Sequence, residues 1–307
     1  MLIRAIIRFL PESMQGILKK EWRKLGFAQR TRKKKAVQIL KKKESAIAKY
    51  GVFNDAELCK VLKDMGIQEG DILFVQTSFN DLYTLDTTPM ELIKALRSSV
   101  GTTGTLLMPA YTAPPNDTNW IYDPVRESTY TGIVNEIFRR LPGVIRSLHP
   151  RHSIAGIGPH AESILSNHEK CIRADGEHSP FDKLRYLNNA KILTLGLPVG
   201  FVSFLHWVED LDPGRLPFPV HERSPRIYQY RVDHSRIEKI EDYRVQRKIS
   251  RLVDYPRIAQ YLSASAMLYR DYKGIKIGLY PLDRLSQELI LLRDRGVIHY
   301  FKRGYWL

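Results

Sequence analysis

The sequence has 307 residues, of which 43% are hydrophobic and 26% are charged. This composition is that of an ordinary globular protein and excludes the collagen-like, low-complexity and disulfide-scaffold classes. Its two cysteines, Cys59 and Cys171, are too few for a disulfide framework or a thiolate metal site, as in proteins of a reducing compartment.

The net charge of +15 is distributed unevenly along the chain. Residues 1–50 hold 15 Lys and Arg against three Glu, which leaves a net charge of only +3 for residues 51–307. The basic character therefore belongs to an N-terminal extension. The body of the protein lacks the charge that is typical of a nucleic-acid-binding domain.

The extension opens with "MLIRAIIRFL", in which Arg4 and Arg8 interrupt an apolar face. It is too short and too charged to span a bilayer, and it lacks the uncharged core and the cleavage site of a signal peptide. Two interpretations stay open. Residues 1–45 form an amphipathic basic helix on an anionic membrane surface, or the helix packs on its own domain or on a second subunit. Nucleic acid is a less favoured partner, because few aromatic residues accompany the lysines.

In chain order, Asn54 is typical of an N-cap for the helix "DAELCKVLKDMG", and "GDILFVQTSF" predicts a buried strand. Next, "PMELIKALRSSVG" predicts a helix and "GTLLMPAYT" a strand. A strand, a helix and a strand at this spacing indicate a mainly parallel sheet.

The alternation continues with the helix "TGIVNEIFRRLPG", strand material in "GVIRSLHPRHSIAGIG", the helices "PHAESILSNHE" and "SPFDKLRYL", the strand "AKILTLGL" and the helix "VSFLHWVEDL". Beyond about residue 215 the pattern predicts two antiparallel strands, then helices around "RIAQYLSASAMLY" and "DRLSQELILLRDRG". We predict an α/β fold in which helices flank a mainly parallel or mixed central sheet. A basic helical extension covers 1–50 and the main domain 51–307.

Histidine is the residue type best suited to chemistry in this chain, and six of the nine lie between positions 149 and 206. No metal motif organises them, so we expect no metal ion. His206 and Glu209 are three residues apart in a predicted helix and share one face, although such pairs are most often surface pairs. Three further histidines are expected at the surface: His160, His168 and His178.

Six motifs in one order resemble the family of aminoglycoside 3-N-acetyltransferases over roughly residues 50–215. They are "GDILFVQTSFNDL", "GTLLMPAYT", "GIVNEIFRRLPGVIRSLHPRHSIAGIGPHAESI", "SPFDKL", "KILTLGL" and "SFLHWVED". The resemblance implies an α/β fold, acetyl-CoA as co-substrate and direct transfer of the acetyl group to a sugar amine. The family signatures fall on Arg146, Ser147, His149, Pro150 and Ser153, on Ser179 and Pro180, and on Ser203, His206 and Glu209.

The candidate catalytic residues are His206, Glu209 and His149. The candidate acetyl-CoA contacts are Thr77, Ser78, Arg146, Ser147 and Ser153, and the candidate acceptor contacts are Gln76, Tyr111, Asp175 and Ser179. The resemblance implies that neutral His206, oriented by Glu209, removes a proton from the sugar ammonium. Thr77 and Ser78 would stabilise the oxyanion, and Arg146 would meet a CoA phosphate.

The chain departs from the family pattern at Gln76, where histidine is usual, and at Val202, where asparagine is common. The basic extension would repel a polycationic aminoglycoside antibiotic. A nucleotide-linked or lipid-linked amino sugar of a surface glycan is therefore the favoured acceptor, ahead of an aminoglycoside. The alternative function is a catalytically degenerate, membrane-recruited adaptor. We expect a cytoplasmic protein, peripheral to the inner face of the membrane if its extension binds lipid, and leave a homo-oligomer open.

Overall fold

A computed structural model describes residues 37–115 and 119–300. The chain divides into two compact units, the first of which ends at Gly51. Within the described residues this first unit contains helix α1, which covers 37–50. The apolar face that the sequence predicts near the N-terminus lies outside the described residues. None of the helices in the described ranges combines the length and the apolar character that crossing a bilayer requires.

The second unit contains twelve strands in its described part. They are β1 (Phe53–Asn54), β2 (Ile72–Thr77), β3 (Leu85–Asp86), β4 (Thr105–Pro109), β5 (Ile121–Tyr122), β6 (Ile145–Arg146), β7 (Ile154–Ile157), β8 (Ala190–Leu195), β9 (Arg226–Arg231), β10 (Ile237–Asp242), β11 (Leu268–Tyr272) and β12 (Ile275–Pro281). Seven form the central sheet in the order β11-β12-β8-β2-β4-β7-β6. Strands β8, β2 and β4 are parallel, and the other four pairings are antiparallel. The predicted mixed α/β sheet is confirmed.

Strand β2 illustrates how the central sheet is buried on both faces. Leu73 and Val75 belong to one apolar cluster, whereas Ile72 and Phe74 belong to another. Successive side chains of a strand point to opposite faces, so the two clusters lie on opposite sides of the sheet. All four side chains are exposed by 1% or less. The run of apolar residues in the sequence is therefore a two-sided core strand.

Helices cover both faces of this sheet and give three layers. The helices are α2 (Asp55–Asp64), α3 (Pro89–Val100), α4 (Ile133–Phe138), α5 (Ala161–Leu165), α6 (Pro180–Leu184), α7 (Leu205–Leu211), α8 (Arg247–Ser250), α9 (Tyr255–Ala259) and α10 (Leu282–Asp294). Helices α2 to α4 contribute to the cluster of Leu73, and α5, α6, α7, α9 and α10 to that of Phe74. Asn54 caps α2 as predicted, because its side chain accepts a 3.0 Å hydrogen bond from the Glu57 N–H.

Two smaller sheets accompany the central one. Strands β10, β9 and β5 form a three-stranded sheet in that order, and β1 pairs with β3. The predicted antiparallel pairing of the two strands after residue 215 is confirmed by β9 and β10. A cluster that includes Tyr122, Tyr228, Tyr230 and Ile240 is the apolar core of the three-stranded sheet.

The structure differs from the prediction between residues 255 and 281. Helix α9 ends at Ala259, and the rest of the predicted helical segment leads into the hairpin β11–β12. The hairpin turn is formed by Lys273 and Gly274, with φ of 48° and 80°. Two consecutive residues of positive φ are typical of the turns that match the twist of paired strands. Strand β12 then pairs antiparallel with β8 and extends the sheet.

The carboxyl ends of the three parallel strands meet at one edge of the sheet. Residues 78–80 follow β2, Tyr111 follows β4, and residues 197–206 follow β8. At Gly196, φ is +72°, and a Cβ would lie 2.8 Å from the Ser78 carbonyl oxygen, so only glycine allows this close approach. In open α/β sheets such an edge is where ligands bind.

Candidate active site

A cavity of about 470 Å³ opens at the carboxyl ends of the parallel strands. Residues that follow each of the three strands line it, together with the start of α4 and Tyr255 of α9. The described side chains of its lining include no Asp, Glu, Lys or Arg. Two of them are histidines, His152 and His206, and each is bonded to a buried carboxylate.

His206 and Glu209 form a hydrogen-bonded pair at the first turn of α7. Nδ1 of His206 lies 2.8 Å from Oε1 of Glu209, and the two side chains are 22% and 1% exposed. A carboxylate can only accept, so Nδ1 carries a proton that it donates to Glu209. Nε2 of His206 has no protein hydrogen bond in the part of the chain that the structure describes. The pair therefore presents an oriented imidazole with a free nitrogen at the cavity.

The charge of Glu209 controls the protonation of His206. Burial lowers the pKa of His206, but the attraction and the hydrogen bond of Glu209 outweigh burial and raise it to about 9. The imidazole is therefore mainly protonated at pH 7 before an acceptor binds, whereas the family resemblance implies a neutral base. A bound ammonium group would lower this pKa by like-charge repulsion.

His152 also lies beside a carboxylate, but neither of its nitrogens is free. Nδ1 lies 2.8 Å from Oδ2 of Asp175, and Nε2 lies 2.7 Å from a terminal nitrogen of Arg151. A guanidinium only donates, so Nε2 of His152 is the acceptor and its lone pair is used. Arg151 in turn makes a bidentate ion pair with Asp242, at 2.7 and 3.0 Å. His152 is held in place by this network and stacks on Tyr111, at a ring distance of 4.7 Å.

Gln76 lines the cavity, but its amide binds the protein. Its Nε2 donates to the Ser203 hydroxyl at 2.7 Å, and its Oε1 accepts from the Ser203 N–H at 2.9 Å. Ser203 lies three residues before His206, so this reciprocal pair fixes the segment that enters α7. The structure assigns Gln76 a positioning contact where the sequence predicts acceptor binding.

Thr77 and Ser78 both line the cavity, as predicted for contacts to the thioester, but their hydroxyls differ. The Ser78 hydroxyl donates to Oδ2 of Asp81 at 2.5 Å. The Thr77 hydroxyl is buried and has no hydrogen-bond partner among the described residues. Buried polar groups are normally satisfied, and Thr77 is one of three cavity-lining residues, with Tyr111 and Asn135, whose buried oxygen has no hydrogen-bond partner among the described residues.

His149, a predicted catalytic residue, is fully buried and does not line the cavity. Its Nδ1 accepts from the N–H groups of Arg151 and His152, and its ring stacks on His168 at 4.8 Å. Burial lowers the pKa of His149 well below the ordinary value. The geometry gives His149 a role in shaping the 149–152 turn, and its catalytic role stays a prediction.

His168 is buried, so the prediction that it lies at the surface is wrong. Its Nε2 donates to the Ala174 carbonyl at 2.8 Å, and its Nδ1 accepts from the Ser147 hydroxyl at 2.8 Å. These two bonds satisfy both ring nitrogens inside the core. The other two histidines expected at the surface, His160 and His178, are exposed.

Three residues predicted to contact acetyl-CoA lie outside the cavity lining. Arg146 donates to the carbonyl oxygens of Pro124, Glu127 and Ala110 and to the Ser153 hydroxyl, so its guanidinium is not available to a CoA phosphate. The Ser153 hydroxyl also donates to the Ala110 carbonyl. Ser147 bonds His168 and the Ile154 N–H, as a structural contact. Each of these polar groups is satisfied within the protein, and their contact with acetyl-CoA stays a prediction.

Ser179 and Asp175, predicted to contact the acceptor, support the site from behind. The Ser179 hydroxyl accepts from the Asp182 N–H and so caps α6, and it donates to the Asp175 carbonyl. Asp175 is 2% exposed and reaches the cavity only through His152. Tyr111, by contrast, lines the cavity as predicted.

Two residues near the end of the described chain belong to the site, although no pattern in the sequence points to them. The Tyr300 hydroxyl donates to Oε1 of Glu209 at 2.9 Å. Nε2 of His299 lies 3.4 Å from Oε2 of Glu209. They are about 90 positions from Glu209 in the chain, so no local spacing connects them.

Two groups of side chains have the spacing that a metal ion would need: His206, Glu209 and His299, and Glu209, Asp210 and His221. Hydrogen bonds join part of each group, such as Nδ1 of His206 to Oε1 of Glu209 and Nε2 of His221 to Oδ1 of Asp210. Oε2 of Glu209 and Nε2 of His299 have no hydrogen-bond partner among the described residues. The expectation that the protein needs no metal stays a prediction.

Comparison with known proteins identifies the family of this chain. The family model for aminoglycoside 3-N-acetyltransferases matches residues 74–282. The chain belongs to this family. The aminoglycoside N(3)-acetyltransferase III of a Salmonella species is 32% identical over 169 residues, which make up 50% of this chain and 58% of the relative. The chain thus matches less than two thirds of that relative's length.

Solved structures of aminoglycoside acetyltransferases share the fold. AAC-VIa bound to sisomicin aligns with a TM-score of 0.64 and 24% identity, over 80% of this chain and 98% of that one. AAC-IIIb in a binary complex with CoASH aligns with a TM-score of 0.62 and 20% identity, over 82% and 100%. The candidate residues from Gln76 to Glu209 lie inside the stretch that the family model matches, whereas His299 and Tyr300 lie beyond it.

Proposed function

We propose that residues 51–307 form a catalytic domain that transfers the acetyl group of acetyl-CoA to an amine of an amino sugar. The observation that carries this proposal is the pair His206 and Glu209, an imidazole held by a buried carboxylate and facing the cavity. Membership of the family and the CoASH complex of the relative AAC-IIIb support acetyl-CoA as the donor.

The proposed reaction is a direct transfer between two bound substrates. Nε2 of His206 accepts a proton from the sugar ammonium, and the freed nitrogen attacks the carbonyl carbon of the thioester. A C–N bond forms and the C–S bond breaks, and the proton that the acylated nitrogen then loses balances the proton that the departing CoA thiolate takes up. The raised pKa of His206 makes it a strong base once it is neutral, and the cavity supplies proximity by holding both substrates.

Thr77 is the proposed donor to the developing oxyanion. Its hydroxyl is buried and unpartnered among the described residues, and it lies at the carboxyl end of β2 beside the cavity. A hydroxyl that is fixed in place before reaction stabilises charge that develops on the carbonyl oxygen. Ser78, whose hydroxyl binds Asp81, is the less suitable of the two predicted residues.

The charge of the cavity bears on the acceptor. Its described lining contains no carboxylate, and Asp175 and Glu209, which lie behind it, are each paired with a histidine. A polycation would find little opposite charge there. Within the amino sugars we therefore propose an acceptor of low positive charge, such as a nucleotide-linked or lipid-linked amino sugar of a surface glycan. An aminoglycoside such as sisomicin, which the relative AAC-VIa binds, is the competing member of the class.

The adaptor alternative has no specific observation in its favour. Of the two sequence departures that suggested it, Gln76 makes a reciprocal hydrogen bond that supports the segment before α7, and Val202 is buried in the core. Both departures are thus accommodated in a cavity that keeps the histidine and the carboxylate.

The experiment is an acetyl-transfer assay on the full chain. Release of the CoA thiol and the mass of the N-acetylated product are followed with glucosamine, a nucleotide-linked amino sugar and sisomicin as acceptors. Turnover with at least one acceptor is expected, with the higher kcat/KM on a sugar that carries a single amine. A higher kcat/KM on sisomicin would overturn the low-charge acceptor alone, and an absence of thiol release with every amine would overturn the enzymatic proposal.

A further inference from the structure

We infer that Tyr300 is a positioning residue for the catalytic carboxylate and, through it, tunes the basicity of His206. This inference rests on the proposed function. It concerns a segment that the family match does not reach, since that match ends at residue 282. Nothing in the family pattern therefore assigns Tyr300 a role.

The geometry places Tyr300 on the same oxygen that His206 uses. Oε1 of Glu209 accepts from the Tyr300 hydroxyl at 2.9 Å and from Nδ1 of His206 at 2.8 Å. Tyr300 is fully buried, and burial raises the pKa of its phenol far above the ordinary value. The hydroxyl therefore keeps its proton and donates to the carboxylate at any working pH.

His299 packs the pair from the side. Its ring meets the His206 ring edge to face, with centroids 4.9 Å apart and an interplanar angle of 83°. Burial lowers the pKa of His299 well below the ordinary value, so it stays neutral beside a protonated His206. Nε2 of His299 lies 3.4 Å from Oε2 of Glu209, so both carboxylate oxygens face a group from this segment.

The segment that carries both residues is anchored on either side. The Asp254 N–H donates to the His299 carbonyl at 2.8 Å, and Val253 forms an isolated β-bridge with Tyr300. Tyr300 and Ile298 also belong to an apolar cluster with Phe218, among others. The position of the hydroxyl is thus set by packing that does not involve the cavity.

A hydrogen bond to Glu209 affects the two protonation states of His206 differently. When His206 is protonated, its own charge already stabilises the carboxylate. When His206 is neutral, the carboxylate depends more on Tyr300. The phenol therefore stabilises the neutral, base-competent state more than the protonated one, and its removal raises the pKa of His206. A merely structural tyrosine would stabilise the fold without shifting this balance.

The test is Tyr300→Phe, with Tyr261→Phe as a matched control, because Tyr261 is exposed and has no described side-chain hydrogen bond. In acetyl transfer, Tyr300→Phe should lower kcat at pH 7 by roughly tenfold, the lower end of the effect of losing a hydrogen bond to a charged group. KM should change by less than about twofold. The rising limb of the pH profile should move to higher pH. An unmoved limb, with or without a loss of kcat, would overturn the inference.

A second measurement does not need turnover. NMR titration of the His206 ring in the full chain should give a higher pKa in Tyr300→Phe than in the wild type, with Tyr261→Phe unchanged. An equal His206 pKa in all three proteins would overturn the positioning role. A shifted pKa in a protein without acetyl transfer would confirm the link between Tyr300 and His206 while the proposed function fails. Thermal unfolding of each variant verifies that it is folded.

Discussion

Two histidine–carboxylate pairs lie at one cavity, and only one of them offers a base. His206 and His152 each have Nδ1 at 2.8 Å from a buried carboxylate, and each lines the cavity. The difference is at Nε2, where His152 meets Arg151 at 2.7 Å and His206 meets no protein group in the described chain. A histidine beside a buried carboxylate thus has two roles in this protein, and the partner of its second nitrogen decides between them.

The comparison teaches that a histidine beside a carboxylate is not by itself a catalytic signature. Arg151 and Asp242 turn His152 into part of a buried ionic network that links the loop before β7 to β10 of the small sheet. Tyr300 leaves the free nitrogen of His206 untouched, because its hydroxyl donates to the carboxylate and otherwise contacts only Nδ1 of His206, at 3.4 Å, among the described residues. Substitutions at the two pairs should therefore have different effects.

The largest effect is expected for Glu209→Gln. This change should lower kcat of acetyl transfer by roughly 10³-fold, because the amide neither orients His206 as a carboxylate does nor stabilises its charge. Without Glu209, His206 loses the main influence that raises its pKa, so this pKa should fall from about 9, with only the more distant charges of Asp175 and Asp210 opposing burial. The activity that remains in Glu209→Gln should therefore have its rising limb at lower pH than the activity of the wild type. If the rising limb in the profile of kcat/KM against pH stays near pH 9 in Glu209→Gln, this account is contradicted.

A smaller effect is expected for Thr77→Val, which removes the unpartnered hydroxyl and keeps the volume. We expect kcat to fall by roughly 100-fold, as for the loss of one oxyanion donor. Ser78→Ala is the matched variant, since its hydroxyl binds Asp81, and it should cost less than about tenfold. Steady-state kinetics with acetyl-CoA compares the two. An equal loss of kcat in both variants would contradict the proposal that Thr77 donates to the oxyanion.

The smallest effect on catalysis is expected for a change in the hydrogen-bond network of His152. Such a change should instead lower the stability of the fold. Burial would raise the pKa of Asp175, but His152 and its other charged neighbours lower it to about 2, against a usual 3.8. The stabilisation is then fully present above pH 3.8 and is lost as the pH falls towards 2. Asp175→Asn should reduce the free energy of unfolding at pH 7 by roughly 2 kcal/mol.

Urea denaturation between pH 7 and pH 3 measures this contribution. The difference between Asp175→Asn and the wild type should narrow as the pH falls. Asp86→Asn, a change at an exposed carboxylate, is the control and should show little difference at any pH. A constant difference for Asp175→Asn across the range would show that its charge does not stabilise the fold.

Local patterns in the sequence predicted the parts of the fold that depend on neighbouring residues. The apolar run from Ile72 to Val75 predicted a buried strand, and the strand is buried on both faces. The spacing of His206 and Glu209 predicted that they share one face of a helix, and they form a hydrogen bond there. The hairpin β11–β12 was not predicted, because the start of β11 was assigned to a helix and the segment between the two predicted helices, which holds Lys273 and Gly274, was assigned to no element.

The candidate site could be predicted only as far as local spacing and the family resemblance reached. Arg146 and Ser153 have the chemistry of ligand contacts, but nearby backbone carbonyls use their donors, and a sequence does not show which donors are used. Tyr300 was not predicted, because the fold brings it to Glu209 over 91 positions. Residue types alone do not show which of two histidines accepts a hydrogen bond from an arginine.

The most direct test of the central claim compares His206→Gln and His152→Gln in the same acetyl-transfer assay. The account predicts that His206→Gln lowers kcat/KM by at least roughly 10²-fold, and His152→Gln by less than about tenfold. His160→Gln, at an exposed histidine outside the cavity lining, should match the wild type. A larger loss in His152→Gln than in His206→Gln would contradict the account.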